Sequence, residues 1–489
     1  VNSAGNSPEG QSNVQKLAEK VMRPAGARRR SLWGTRFGFY LAAVGSAFGL
    51  GNLWRFPYIT VENGGGAFVI MYIVMALCVG LPLLIGELML GKISRRSVIS
   101  ACSRLSKDES ISRKMRTKGG GAWMWTGRLS VIVCLLILSY YAVISGWVLH
   151  FLMQFFVSQL KTGAFDVEKS LAVLREHGGL QIALMSVHLL ITLVIVGKGV
   201  QEGIEKWVSY SMPAFIILLM ILVTKSLSLP SAGDALRFMF YPDFSKLTLF
   251  SPLDAIGHVL FTLSIGIGTM VTFGSYLNET TKIPAAGFRI TAMDTVISLF
   301  AGLLIFPLLI GAAFSTTGPE LLFQTLPRLL VDLDSGFLFG MAFFICLYLA
   351  ALGASIGLLE SVVANLLDVT SLSRAQAAWA AGAFACLLGV GPALSTSVLK
   401  NVSLRGHGLL EVLDGLLING LLPISALGLA FLMMRKMKRS RIQDEFLNDE
   451  SETTEVLYSH WLFAIQWFAP GMIIISLILA AYGLIKDAF

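Results

Sequence analysis

Long apolar runs separated by short polar and charged stretches fill this sequence from about residue 36 onward. A helix needs about 20 apolar residues to cross the hydrocarbon core of a bilayer. Runs near that length recur at 36–57, 66–90, 129–157, 180–196, 206–228, 251–277, 289–313, 335–368, 376–394, 409–434 and 461–486. The pattern predicts about eleven membrane-spanning helices, called spans 1 to 11 below, and an all-α membrane protein.

Composition sharpens the class. Of 489 residues, 55% are hydrophobic and 14% charged, against about 25% charged in an ordinary soluble domain. A disordered chain, a disulfide-stapled module and nearly every soluble enzyme are excluded. The 38 Lys and Arg outnumber the 30 Asp and Glu, yet the excess sits in loops, so it reads as topology rather than as a nucleic-acid surface. Arg23, Arg28, Arg29, Arg30 and Arg36 precede span 1. A second basic cluster follows span 2, and Arg435, Lys436, Lys438, Arg439 and Arg441 follow span 10. The positive-inside rule then puts the N-terminus in the cytoplasm and, with an odd number of spans, the C-terminus outside. The five cysteines have no metal spacing and suggest no external disulfide framework. Residues 1–30 are polar and expected to be disordered.

Two spans are interrupted alike. Gly45, Gly49 and Gly51 lie near the middle of span 1, and Gly266 and Gly268 near the middle of span 6. Glycine costs about 1 kcal/mol inside a helix and lets the backbone leave the helical path. Breaks five spans apart suggest two inverted five-helix repeats, 31–228 and 251–434, followed by a charged cytoplasmic loop, 435–460, and an eleventh helix, 461–489. Each repeat opens on a broken helix, the arrangement that marks a binding site at the bilayer midplane. Close helix packing through small residues would explain either glycine cluster alone.

A broken helix exposes carbonyls at one cut end and N–H groups at the other. The first suits a small cation and the second a carboxylate. Oxygen-bearing side chains gather nearby: Asn52 after the first break, Thr262 and Ser264 at the second, Asp294 within span 7. An ionised carboxylate inside a span is costly unless paired, so Asp294, Glu87 in span 2 and Glu360 in span 8 are functional candidates and possible proton carriers. No HExxH, GxSxG or His/Cys constellation points to an enzyme.

The stretches Gly49-Leu-Gly-Asn-Leu-Trp-Arg-Phe-Pro57 and Glu62-Asn-Gly-Gly-Gly-Ala-Phe68 resemble the neurotransmitter:sodium symporter family very closely. The resemblance continues through Tyr140 and Tyr141, Gly203-Ile-Glu-Lys206, Phe261-Thr-Leu-Ser264 and Asp414, and covers about residues 30–485. It implies uptake of an amino acid or related amine by alternating access, coupled to Na⁺. A first sodium site would use the Ala47 carbonyl, Asn52, Thr262 and Asp294, where relatives usually carry Asn. Chloride-dependent relatives hold their anion with Tyr, Gln and Ser; Tyr72, His258 and Ser298 stand there. The fixed charge of Asp294 beside the cation predicts no chloride requirement. A second sodium site would use the carbonyls of Gly45, Phe48 and Ala350, but the two hydroxyl positions of span 8 are Gly353 and Ala354. Losing two of about five oxygen ligands predicts a site that is lost or weak.

Monoamine carriers of the family have Asp at the position of Gly49; glycine there leaves room for an α-carboxylate, held by the Leu50 and Gly51 amides, the first sodium and Tyr141. The resemblance puts Ser46, Ala47, Ile137, Tyr141, Phe261, Thr262, Ser264, Ile267, Ser355 and Leu358 around the amine and side chain. Those positions carry no charge, and a charged substrate group left unpaired would cost several kcal/mol, so a neutral aliphatic or aromatic amino acid is expected. Gates would form at Arg55 with Asp414 on the outside and at Arg30 with Asp368 inside, the latter braced by Trp33, Ser275 and Tyr276. The short external loop after span 3 lacks a cysteine pair, unlike animal relatives, and suggests a bacterial inner membrane. Expected partners are the amino acid and the lipid bilayer, with no nucleic acid, in a monomer or weak homodimer. A proton-coupled carrier and a transport-inactive sensor or scaffold of the same fold are the alternatives.

Overall fold

The computed structural model describes residues 31–107, 120–160, 165–310, 321–333, 335–404, 407–447 and 452–486. The segment 1–30, and Arg30 with it, lies outside the described residues. Among the described residues, nine helices are long and apolar enough to cross a membrane: Gly66–Ser94, Trp123–Ser158, Gly178–Gly197, Val200–Ser226, Ile283–Ile310, Gly336–Val369, Arg374–Leu394, Leu409–Lys436 and Glu455–Gly483. They are spans 2–5 and 7–11. Spans 1 and 6 each consist of two half-length pieces, Arg36–Ala47 with Phe56–Glu62 and Ser251–Thr262 with Thr269–Ser275. A two-residue ladder, Ser403–Leu404 with His407–Gly408, is the only sheet among the described residues.

Burial orders the bundle. The most apolar window of span 3 is 78% buried inside the protein and that of span 11 only 33%, so span 3 is a central pillar and span 11 a peripheral one. Lipid is as apolar as leucine, so helices here associate through close packing and interhelical hydrogen bonds, each worth about 0.6 kcal/mol. Ser130 meets Ser425 at 2.8 Å, Trp147 donates to Gln181 at 3.0 Å and Ser226 to the Leu304 carbonyl at 2.6 Å. Span 9 starts on a capping box in which Ser373 accepts the Gln376 amide and Gln376 accepts the Ser373 amide.

The predicted charged loop at 435–460 is largely helical, Arg439–Leu447 and then Glu452–Phe463. Ile442 and Phe446, four residues apart, bury one face of the first piece. That face, hidden among charges in the sequence, is why the segment folds back onto the bundle.

Candidate functional site

Both breaks are genuine departures from the helix. After Ala47 the chain turns extended at Phe48 (φ −77°, ψ 113°) and resumes as a wide turn, Gly51–Arg55, that runs into Phe56–Glu62 with Pro57 in its first turn. In span 6 the left-handed region is entered three times, at Ser264 (φ 54°), Gly266 (84°) and Gly268 (74°). Ser264 is the strained one, since L residues avoid that region. Its hydroxyl donates to the Ser46 carbonyl at 3.2 Å and so ties one break to the other.

Between the breaks lies a small cavity of about 20 Å³ lined by Ser46, Ala47, Gly49 and Gly51 of span 1, Ile137 and Tyr141 of span 3, Phe261, Thr262, Ser264 and Ile267 of span 6, Ala354 and Leu358 of span 8, and Leu422 of span 10. Most of the residues expected around a substrate therefore share one space. Ser355 does not. Ala354 and Leu358, one helical turn apart, face the cavity; Ser355 lies about 100° further round the helix and meets His188 at 2.8 Å. Leu50 lines the neighbouring vestibule, and its amide donates to the Tyr141 hydroxyl at 2.9 Å. At Gly49 a Cβ would come within 2.6 Å of that hydroxyl, so a larger residue would displace Tyr141.

Asp294 is the charged group of the site, fully buried at 1% exposure. Its carboxylate accepts from Asn52 Nδ2 at 2.7 Å, Thr262 Oγ1 at 3.1 Å and the Tyr72 hydroxyl at 3.2 Å. Asn52 also donates to Ser298 at 2.9 Å, while its carbonyl oxygen accepts the Gly49 amide at 3.3 Å. Asn52 and Thr262 therefore both meet Asp294 beside the two breaks. The Tyr72 and Ser298 hydroxyls lie 3.1 Å apart, Tyr72 against the carboxylate and Ser298 against Asn52. The His258 ring packs at a tilt against Tyr72, with centroids 5.2 Å apart.

The region of Gly45, Phe48 and Ala350 is built differently. A Cβ on Gly353 would sit 2.6 Å from the Gly45 carbonyl oxygen, and one on Gly45 would lie 3.0 Å from Met212 Sδ. Spans 1, 5 and 8 thus meet here in direct contact, with no side-chain oxygen at 353 or 354.

Beyond the cavity, on the Arg55 side, opens a vestibule of about 610 Å³ that shares Gly51, Tyr141 and Phe261 with it. Arg55 pairs with Asp414 at 2.7 Å, and Tyr140 donates to the same carboxylate at 2.9 Å. On the other side Trp33, 2% exposed, plugs the bundle. Its indole donates to the Phe273 carbonyl at 3.2 Å and packs edge-on against Phe273 and Tyr276. Tyr276 donates to Glu360 at 2.6 Å, and the second oxygen of Glu360 pairs with Arg374. Asp368 accepts from the amide and hydroxyl of Ser97, at 2.8 and 2.5 Å, with Arg96 at 3.6 Å. The expected partner Arg30 lies outside the described residues. Glu87 accepts the Gly266 amide at 2.6 Å through one oxygen, while the other has no hydrogen-bond partner among the described residues.

Three residues that reading the sequence did not single out line or brace this region. Leu422 is one apolar residue among many in span 10, and nothing marks its direction. Arg374 could have been flagged as a basic residue at the mouth of a span. Ser425 donates to the Gly266 carbonyl at 2.5 Å, and its hydroxyl was a weak signal in an apolar run.

Two helix breaks joined across a buried carboxylate, with a vestibule on one side and an aromatic plug on the other, define a multi-span membrane transporter. The chain matches the Sodium:neurotransmitter symporter family over residues 30–169 and 164–486, and it belongs to that family. It is 33% identical over 450 residues to an uncharacterized sodium-dependent transporter of Bacillus subtilis, across 91% of this chain and 96% of that one. The sodium-dependent dopamine transporter of Bos taurus is 26% identical over 413 residues, 72% of this chain and 56% of its own. Among solved structures, MhsT in complex with L-phenylalanine matches with a TM-score of 0.82 at 33% identity, over 93% of this chain and 100% of that one.

Proposed function

We propose that the protein imports a neutral aliphatic or aromatic amino acid, driven by one Na⁺ per cycle and without chloride. The observation that carries this reading is the Asp294 carboxylate, held by Asn52, Thr262 and Tyr72 at the meeting point of the two breaks. A hard cation entering there finds a full negative charge and the oxygens of Asn52, Thr262 and the cut end of span 1 at Ala47. The same carboxylate takes up the Tyr72 and Asn52 donors that an anion would need and already supplies a negative charge, which argues against a chloride requirement. The α-carboxylate of the substrate would sit at the Leu50 and Gly51 amides with Tyr141, beside the cation. The apolar lining by Ile137, Phe261, Ile267 and Leu358 favours an uncharged side chain. MhsT, with its phenylalanine, supports the same class of cargo.

A second sodium ion is disfavoured because spans 1 and 8 touch where it would lie and contribute no hydroxyl. Loop charge supports a cytoplasmic N-terminus in an inner membrane. Arg55 and Asp414 then close the outer path, and Trp33, Tyr276 and Glu360 the inner one. Of the candidate proton carriers, Glu360 accepts from Tyr276 and pairs with Arg374. Glu87, with one oxygen unpartnered, favours the proton-coupled alternative. Uptake of labelled amino acids into proteoliposomes separates the readings: a Na⁺ gradient should drive it equally in chloride and gluconate, and K⁺ should not replace Na⁺. Uptake driven by a proton gradient alone would overturn sodium coupling and move attention to Glu87.

A further inference from the structure

We propose that Leu422 of span 10 sets the upper size of the side chain the transporter accepts. The inference rests on the reading that the cavity between the breaks holds the substrate's side chain. Leu422 lines that cavity and is fully buried. It stands where a wide turn, Leu417–Leu421, passes into regular helix, with Pro423 following it in the first turn.

Its backbone cannot retreat. A Cβ on Gly266 would lie 2.8 Å from the Leu422 carbonyl oxygen, so the second break is pressed against this peptide. One turn on, Ser425 donates to the Gly266 carbonyl at 2.5 Å and meets Ser130 of span 3 at 2.8 Å. Span 10 is thereby bolted to span 6 at the break and to the central pillar. With its backbone fixed from both sides, Leu422 can make room only by changing its own rotamer. Its isobutyl group makes no hydrogen bond and touches no cation ligand through a polar atom, so altering its size changes volume without changing the ion chemistry. The cavity holds only about 20 Å³, less than the three carbons lost in Leu422→Ala, so that change enlarges the available room several-fold. One methylene in an apolar pocket already discriminates by about 10- to 200-fold.

The test measures Na⁺-driven uptake of alanine, leucine, phenylalanine and tryptophan by wild type, Leu422→Ala, Leu422→Met and Leu422→Phe in proteoliposomes. The readout is the ratio of uptake efficiency for the largest accepted amino acid to that for the smallest. This ratio cancels differences in yield or general stability among the variants. Leu422→Ala should raise it about tenfold, mainly through KM. Leu422→Phe should lower it by a similar factor, and Leu422→Met, of similar volume, should leave it within about twofold. Should the alanine variant fail to fold, the phenylalanine variant still decides. Wild-type uptake with a ratio unmoved by both size changes would overturn the assignment to Leu422 alone. A wild type that takes up none of the four amino acids would overturn the reading of the cavity, and this inference with it.

Discussion

Two regions of this protein lie within a few residues of each other along span 1 and have opposite chemistry. At Asn52 the chain meets Thr262 and Asp294, and a buried carboxylate is surrounded by donors. At Gly45 it meets Gly353 and Met212, and the contact is backbone against backbone with a thioether beside it. In both places span 1 is pinned to the rest of the bundle. One region pins it with a charge network suited to a cation; the other uses direct packing and needs no ion. The difference teaches that the scaffold can keep its helix contacts where the hydroxyls are absent, provided small residues let the backbones close up.

The comparison breaks most readily at Asp294. Asp294→Ala should remove the charge and the acceptor shared by Asn52, Thr262 and Tyr72, a loss of about 1–3 kcal/mol for a buried donor left unsatisfied. Na⁺-driven uptake should fall by at least about 100-fold, read as initial rates at matched protein density. A rate within a few-fold of wild type would mean the cation is held elsewhere. At the other region, Gly353→Ala puts a Cβ 2.6 Å from the Gly45 carbonyl oxygen. Overpacking of this kind costs about 1–3 kcal/mol, and thermal unfolding in detergent should reveal it as a lower Tm. An unchanged Tm would show that the two spans are looser than described.

Asp294→Asn sharpens the contrast further. It removes the built-in negative charge but keeps an oxygen for the cation, so the donors around it become available to an anion. Uptake by this variant should become chloride-stimulated, by about tenfold, equivalent to ~1.4 kcal/mol. Equal rates in chloride and gluconate would contradict the role given to the carboxylate. The smallest effect is expected at the vestibule. Arg55→Gln leaves Asp414 with Tyr140 and, at 24% exposure, with water. Uptake should drop several-fold, on the order of 1 kcal/mol, while Na⁺ dependence is unchanged. A shifted Na⁺ dependence would tie this gate directly to the cation.

How much of this was legible without coordinates follows from what each signal depends on. Spans 1 and 6 betrayed their breaks because glycine is expensive in a helix and the clusters recur five spans apart. Asn52, Thr262 and Asp294 stood out because polar groups are costly in lipid. Apolar runs carry their own length signal, and nine of them are helices long enough to cross a membrane among the described residues. Directions around a helix are another matter. Ser355 and Ala354 are neighbours in sequence, and only the phase of span 8 decides that the alanine faces the cavity and the serine faces His188. Leu422 and Arg374 act through partners on other spans, and a single sequence contains no record of which spans touch. The helix at Arg439–Leu447 was missed for a related reason, since its two buried apolar residues are diluted among charges.

The central claim is that one region binds a cation and the other does not. The most direct test is the Na⁺ dependence of amino-acid uptake in proteoliposomes, fitted for its Hill coefficient and checked by the ²²Na⁺ to amino acid flux ratio. The account predicts a Hill coefficient near one and about one Na⁺ carried per amino acid. A coefficient clearly above one with a ratio near two would show that a second ion binds against Gly353 and Ala354, and would contradict it.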